Sequence, residues 1–163
     1  MAAASRPWSI EPYRPDLHGD GHLAVIAAVY REYGFTWDPG HPYFADLVDP
    51  IAHYDRKGGF FSVAVMDRRV VGTIGGTPEG STWELHRLYV AASARRGGLG
   101  TALVQTFLDL ARSAGATQAI LWSDKQLLDA HRLYRALGFQ VTGERRCDDP
   151  DRAIEWGMTL ALR

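Results

Sequence analysis

The sequence contains a single cysteine, Cys147, so no disulfide can close within the chain and nothing suggests an oxidising compartment. It also lacks an excess of positive charge. Eighteen Lys and Arg stand against nineteen Asp and Glu, for a net charge of −1, which leaves no basic stripe of the kind that holds nucleic acid. No run of about 18 apolar residues occurs that would span a bilayer. Residues 1–7 lack the apolar core of a secretion signal, and a cytoplasmic protein with no membrane partner is the expectation. Of the six histidines, His18 and His22 stand four apart, but Gly19 and Gly21 interrupt the helix and no glutamate follows His18 as in a zinc protease motif, so no metal site is expected. No segment repeats at a fixed period.

What is present describes an ordinary globular chain. Apolar residues make up 46% and charged residues 23% of the 163, a balance and a length suited to one domain spanning 1–163. Periodicity divides it as follows. Residues 8–13 read as a strand and 22–33 as a helix, with Leu23, Ile26, Ala27 and Tyr30 on one face. Residues 34–42 form a loop rich in aromatics, and 43–48 a short helix stopped near Pro50. Strands follow over 60–66 and 70–77, joined by Asp67-Arg68-Arg69 as an antiparallel hairpin, then over 82–90. The clearest amphipathic helix runs over 99–114, with Ala102, Leu103, Thr106, Phe107, Leu110 and Ala114 on one face and Gly115 as its stop. A short strand (119–122), a helix capped by Ser123 or Asp124 and carrying Ala130, Leu133, Tyr134 and Leu137, and strands over 140–146 and 153–162 complete the order βααβββαβαββ. Hairpins mixed with strand–helix–strand crossovers imply an α/β (α+β) fold with a mixed, mostly antiparallel twisted sheet flanked by helices.

The turn Arg95-Arg96-Gly97-Gly98-Leu99-Gly100-Thr101 lies between a strand and the amphipathic helix. Amides at a helix N-terminus are unpaired and carry partial positive charge, which suits an anion where side chains leave room. Gly97, Gly98 and Gly100 leave that room and reach left-handed backbone angles, and Arg95 and Arg96 add charge. The turn lacks the Gly-Lys-Ser/Thr ending of a nucleotide triphosphate loop. It also lacks the third glycine of a dinucleotide fingerprint, since position 103 is Leu.

The turn has two companions. Glu84-Leu85-His86-Arg87-Leu88-Tyr89-Val90 precedes it, and Ala130-His131-Arg132-Leu133-Tyr134-Arg135-Ala136-Leu137-Gly138-Phe139 follows. Together the three segments resemble the Gcn5-related N-acetyltransferase (GNAT) superfamily in its central strand, its Arg-x-x-Gly-x-Gly signature and its Ala-x-x-Leu-Tyr-x-x-x-Gly-Phe segment. The match covers about residues 60–162. It implies the acyl-CoA N-acyltransferase fold and bound acetyl-CoA, with the pyrophosphate on the backbone of Arg95, Arg96, Gly97, Gly98, Leu99, Gly100 and Thr101. The pantetheine arm would pair with main chain along Leu88, Tyr89 and Val90. The family's frequent asparagine three residues before Ala130 is Leu127 here.

Transfer of acetyl from a thioester to an amine requires a base for the amine proton, polarisation of the carbonyl and a proton for the thiolate. Glu84, on the central strand, is a candidate base, direct or through water. His86, on the same face, is the alternative; the competing structural reading for both is a hydrated or salt-bridged strand residue, Glu84 for example paired to Arg87. Apolar parity changes along this strand: Leu85 is odd, Leu88 and Val90 even. A β-bulge near Arg87 is therefore expected, freeing amides toward the thioester oxygen. The resemblance implies that Tyr134 points its hydroxyl at the cofactor sulfur. Cys147, beside Asp148 and Asp149, is disfavoured as a covalent acyl carrier. Tyr33, Phe35, Trp37 and Asp38, with Asp148, Asp149 and Asp151, would suit a cationic amine with an apolar body. The expected partners are a small-molecule or peptide amine and, at most, a second copy of the chain as a homodimer. A non-catalytic acyl-CoA sensor and a transferase for another acyl chain stay open as alternatives.

Overall fold

Seven strands form one sheet in the order β1-β2-β3-β4-β5-β7-β6 in the computed structural model, which describes residues 5–163. Residues 1–4, the start of the segment read above for a secretion signal, lie outside the described residues. In chain order the elements are β1 (Ser9–Pro12), α1 (Pro15–His18), α2 (Gly21–Tyr33), a 3₁₀ turn (Pro42–Leu47), α3 (Pro50–Arg56), β2 (Phe60–Met66), β3 (Arg69–Glu79) and β4 (Thr82–Val90). A short 3₁₀ turn (Ala92–Ala94) leads into α4 (Leu99–Ser113), followed by β5 (Gln118–Asp124), α5 (Leu128–Ala136), β6 (Gln140–Arg146) and β7 (Ile154–Ala161). All neighbouring pairs are antiparallel except β4 and β5. The sheet is mixed and mostly antiparallel, as its sequence pattern implies.

Each face of the sheet carries its own core, because strand side chains alternate between faces. Phe61 and Val63 of β2 pack with Ile26 and Tyr30 of α2 and with Phe44, Leu47 and Tyr54. On the opposite face Ala64, Ile74 and Leu85 pack with Leu103 and Phe107 of α4 and Tyr134 of α5. Among the described residues no helix is long and apolar enough to cross a membrane.

The short helix expected over 43–48 ends at Leu47, before Pro50, and a further helix begins at Pro50, where Asp49 Oδ1 accepts the Ala52 amide at 3.1 Å and proline suits the first helical position. Three local expectations are corrected. The hairpin turn is the two residues Asp67 and Arg68, both at positive φ, with Arg69 already in β3. In α4 the buried stripe is Leu99, Leu103, Val104, Phe107, Leu108 and Ala111, while Leu110 is 42% exposed; the helix docks rotated by about one residue. Neither Ser123 nor Asp124 caps α5. Ser123 lies in β5 and its hydroxyl pairs with His131 Nε2 at 3.1 Å, while Asp124 accepts the Gln126 amide at 2.8 Å.

Candidate active site

The parallel ladder between β4 and β5 runs only from Thr82 and Gln118 to Leu85 and Leu121, although β4 continues to Val90 and β5 to Asp124. Beyond Leu85 the strands part and leave a wedge in the middle of the sheet. The divergence coincides with a bulge. On the β3 side the register shifts, so that His86 faces Gly75 and Tyr89 faces Thr73. Arg87 sits between them at φ +54°, left-handed backbone that a side chain rarely adopts. The parity change in the sequence marks this position correctly.

Past the bulge, Ala91 donates its amide to Val71 O on β3 at 2.8 Å. Alternation therefore turns the main-chain groups of Leu88 and Val90 toward the wedge. Val90 O already accepts Arg95 Nε there at 3.1 Å.

A cleft of about 680 Å³ opens on one side of the wedge, walled by Leu88, Tyr89, Val90, Leu133 and the start of α4. The first α4 carbonyl, Gly98 O, accepts from Ala102 at 3.0 Å. The amides of Leu99, Gly100 and Thr101 precede that bond and have no intrahelical partner to reach. Gly98 is left-handed (φ +83°), and so is Arg96 (φ +68°). A Cβ built on Gly97 or Gly98 meets nothing within 4 Å, so both border open space. Gly100 acts differently. Its Cβ would come to 3.3 Å from Leu133 Cδ2, so its bareness serves the approach of α5. Arg95 also departs from expectation. Its guanidinium forks onto the Glu32 carboxylate at 2.7 and 2.8 Å, which neutralises its charge and ties α2 to the turn. Arg96 has no salt-bridge partner among the described residues.

A second cavity, about 330 Å³, lies on the other side and meets the cleft at Leu88, Tyr89 and Leu127. Glu84, His86 and Tyr134 all line it. Burial pushes the Glu84 carboxyl up, with Glu155 and Glu79 acting the same way and Arg145 opposing them. Burial pushes His86 down to about 4, so its ring is neutral at pH 7; Nε2 lies 2.9 Å from Thr77 Oγ1 and 3.8 Å from Glu84. Burial, and the neighbouring Tyr89, push the Tyr134 hydroxyl upward, keeping it protonated. Cys147 is buried, and desolvation followed by Glu155 pushes its thiol up to about 11, against a nucleophilic role.

Arg87 does not pair with Glu84. It is buried against Asp46 in a fork, Nη2 to Oδ1 at 2.8 Å and Nε to Oδ2 at 3.1 Å. Burial pushes the Asp46 carboxyl up, but the Arg87 hydrogen bonds and charge, with the Tyr54 hydroxyl, outweigh it and hold Asp46 below its usual range. Of the aromatic loop, Phe35 reaches the cavity, whereas Trp37 packs on Tyr30 and Phe44 at ring distances of 5.7 and 4.9 Å. Tyr33 lines the cleft instead. Asp151 is held by the Thr36 amide and hydroxyl at 2.7 and 2.6 Å, binding the loop to the β6–β7 turn. Of the three turn aspartates only Asp149 lines the cavity. Asp46, Tyr54, Trp122 and Glu155 are cavity residues that sequence reasoning missed, since each comes from a different part of the chain. No group of three His, Cys, Asp or Glu side chains placed to hold a metal occurs among the described residues.

A strand pair that parts at a bulge, beside a glycine turn opening a helix, defines a class, and the family comparison agrees. The acetyltransferase (GNAT) family model matches residues 24–139, and the chain belongs to this family. It is 36% identical over 157 residues to N-acetyltransferase 8 of Rattus norvegicus, covering 86% of this chain and 68% of that protein. It is 34% identical over 106 residues to the Homo sapiens N-acetyltransferase 8, covering 61% of this chain but only 47% of that protein; the chain thus spans about half to two-thirds of the length of these relatives. An acetyltransferase from Streptococcus agalactiae superposes with a TM-score of 0.85 at 20% identity, over 97% of this chain and all of that one. An aminoglycoside 6′-N-acetyltransferase complexed with coenzyme A superposes at 0.67 with 19% identity, over 94% and 96%.

Proposed function

We propose that this chain is an acetyl-CoA-dependent N-acetyltransferase that moves acetyl to a primary amine of a small molecule or peptide, by direct attack in a ternary complex. We read 1–163 as one such domain. The observation that carries this reading is the wedge, where an anion-suited cleft and a cavity with a half-buried carboxylate meet at Leu88, Tyr89 and Leu127.

In this reading the pyrophosphate of acetyl-CoA lies on the amides of Leu99, Gly100 and Thr101, in the space bordered by Gly97 and Gly98, with Arg96 beside it. The pantetheine arm pairs with the main chain of Leu88 and Val90 as a missing strand would, and Tyr89 flanks the thioester. Arg95 contributes by fixing the turn through Glu32 rather than by its charge. An ammonium with pKa about 10 must lose a proton before it attacks. Glu84 accepts that proton, directly or through water, its raised pKa making it a stronger base than an ordinary carboxylate. The amine nitrogen adds to the thioester carbon, amides at the bulge stabilise the oxyanion, and the C–S bond breaks. The Tyr134 hydroxyl then gives its proton to the departing thiolate. His86, neutral and engaged with Thr77, is the weaker base for the first step.

The testing experiment is thiol release from acetyl-CoA across a panel of primary amines, with acetyl-CoA affinity measured by calorimetry. Amine-dependent release with formation of the amide is the expected result. Tight binding with no turnover on any amine would establish an acyl-CoA sensor instead, and faster release from propionyl- or succinyl-CoA would reassign the acyl chain.

A further inference from the structure

Arg87 lies at the bulge with its side chain buried, and its guanidinium hydrogen bonds lead to Tyr43 and Asp46 in the wall of the second cavity. Its side chain is 8% exposed and that of Asp46 12%. Besides the fork to Asp46, Nη2 donates to Tyr43 O at 2.6 Å. The guanidinium carbon lies 4.6 Å from the Tyr43 ring centre and 5.4 Å from that of Phe44. Asp46 accepts in turn from the Tyr54 hydroxyl at 2.8 Å. The main chain is held as well, since Thr73 Oγ1 donates to Arg87 O at 2.6 Å. The left-handed angle at Arg87 is unfavourable for a residue with a Cβ, so a surrounding structure that over-determines it is required, and these contacts supply it.

We infer that Arg87 and Asp46 form a positioning clamp: the ion pair fixes the β4 bulge that presents the Leu88 amide and, through the same guanidinium, the 3₁₀ turn that walls the acceptor cavity. The pair itself lines only the cavity, and it reaches the cleft through the main chain of the bulge, which continues into Leu88. A rigid planar fork suits this role, because it sets orientation as well as distance, which a lysine does not. The consequence is a fixed relation between the carbonyl to be attacked and the surface that delivers the amine. The inference rests on the proposed acyl transfer for its kinetic arm and on the fold alone for its second arm.

Arg87→Gly is the decisive variant. Glycine accepts φ +54° without strain, so the substitution removes the clamp without adding backbone cost at the bulge. The expected result is a kcat reduced about tenfold or more, the scale on which small misplacements of reacting groups act, with acetyl-CoA affinity weakened by a smaller factor, since the α4 turn is untouched and only the Leu88 contact to the arm is loosened. Arg87→Lys keeps the charge and loses the fork, and should fall between the two. In the second arm, amide exchange at Tyr89, which alternation turns onto Thr73 of β3 next to the bulge, should accelerate about tenfold relative to Val63 in β2 in both Arg87→Gly and Asp46→Asn. Wild-type kcat in Arg87→Gly, or unchanged exchange at Tyr89, overturns the clamp. A wild-type protein inert toward every amine defeats the acyl-transfer reading and leaves the exchange measurement to decide the clamp alone.

Discussion

The two halves of the site are made of different material. The cleft offers main-chain groups, the amides of Leu99 to Thr101 and the strand groups of Leu88 and Val90, beside glycines that leave space and side chains such as Tyr33, Arg96 and Leu133. The cavity is built from side chains that converge from distant parts of the chain, Asp46 from the 3₁₀ turn, Tyr54 from α3, Glu84 from β4, Trp122 from β5 and Glu155 from β7. A main-chain surface reads features common to every ligand of one class; in the proposed acyl transfer these are a phosphate and an extended amide arm. A side-chain surface reads what distinguishes one acceptor from another. The proposed donor half is accordingly determined by contiguous stretches of β4, the glycine turn and the start of α4, whereas the proposed acceptor half rests on separate side chains, of which Asp46 alone is tied by hydrogen bonds to the β4 bulge through Arg87.

Substitutions that separate the halves test that contrast, and the largest effect belongs to the chemistry where they meet. Glu84→Gln should lower kcat about a hundredfold or more, the range of general base catalysis, and abolish the rise of kcat with pH that follows ionisation of its upward-shifted carboxyl. Persistence of that pH limb in Glu84→Gln and its loss in His86→Gln would transfer the role to His86. Tyr134→Phe should lower kcat by about ten- to a hundredfold with acetyl-CoA affinity unchanged; unaltered turnover removes Tyr134 from the proton path.

Gly97→Val adds bulk in the turn between Arg96 and Gly98, both of which line the cleft, without meeting any protein atom at its Cβ. It should weaken acetyl-CoA about tenfold, equivalent to roughly 1.4 kcal/mol, while kcat at saturation and the order of preference among amines stay the same. A change in amine preference would mean that the halves are not separable. Asp151→Asn weakens the link from Thr36 to the β6–β7 turn. It should raise KM for the amine a few-fold at most and leave acetyl-CoA binding alone.

Stability should carry a signature of the cavity as well. His86 titrates at about 4 when folded and near 6.5 when unfolded, so its neutral form is favoured by folding. The contribution is complete above about pH 6.5 and is lost as pH falls toward 4. Acid unfolding of His86→Gln should therefore begin at lower pH than that of wild type.

The same contrast explains which features are legible in the sequence. The α4 turn is a local pattern in which glycines, helix start and preceding strand are adjacent, so it can be read directly. The bulge can be read too, because Leu85 and Leu88 cannot share a face in a regular strand. The buried stripe of α4 lies about one residue from the expected one because Val104, Leu108 and Ala111 form an apolar row beside it; which row meets the sheet is decided by docking, not by the helix. Pro50 marks a boundary readable from both sides: proline disfavours helix before it and favours helix after it, so the 3₁₀ turn ends at Leu47 and α3 starts at Pro50, its first turn capped by Asp49. Asp46 carries no local signal. It is one acid in a short segment, and its meaning comes from Arg87, 41 positions away.

The parting of β4 and β5 also bears on how the molecule avoids its own kind. A sheet ordinarily has two edges exposed to unwanted pairing, and this one has two more facing each other across the wedge, over residues 86–90 and 122–124. Both diverge, and one is bent by Arg87, so a flat strand from another chain finds no partner matched along its length. The empty gap is protected by its own shape; in the proposed acyl transfer the extended arm of the donor would also cover the inner edge of β4.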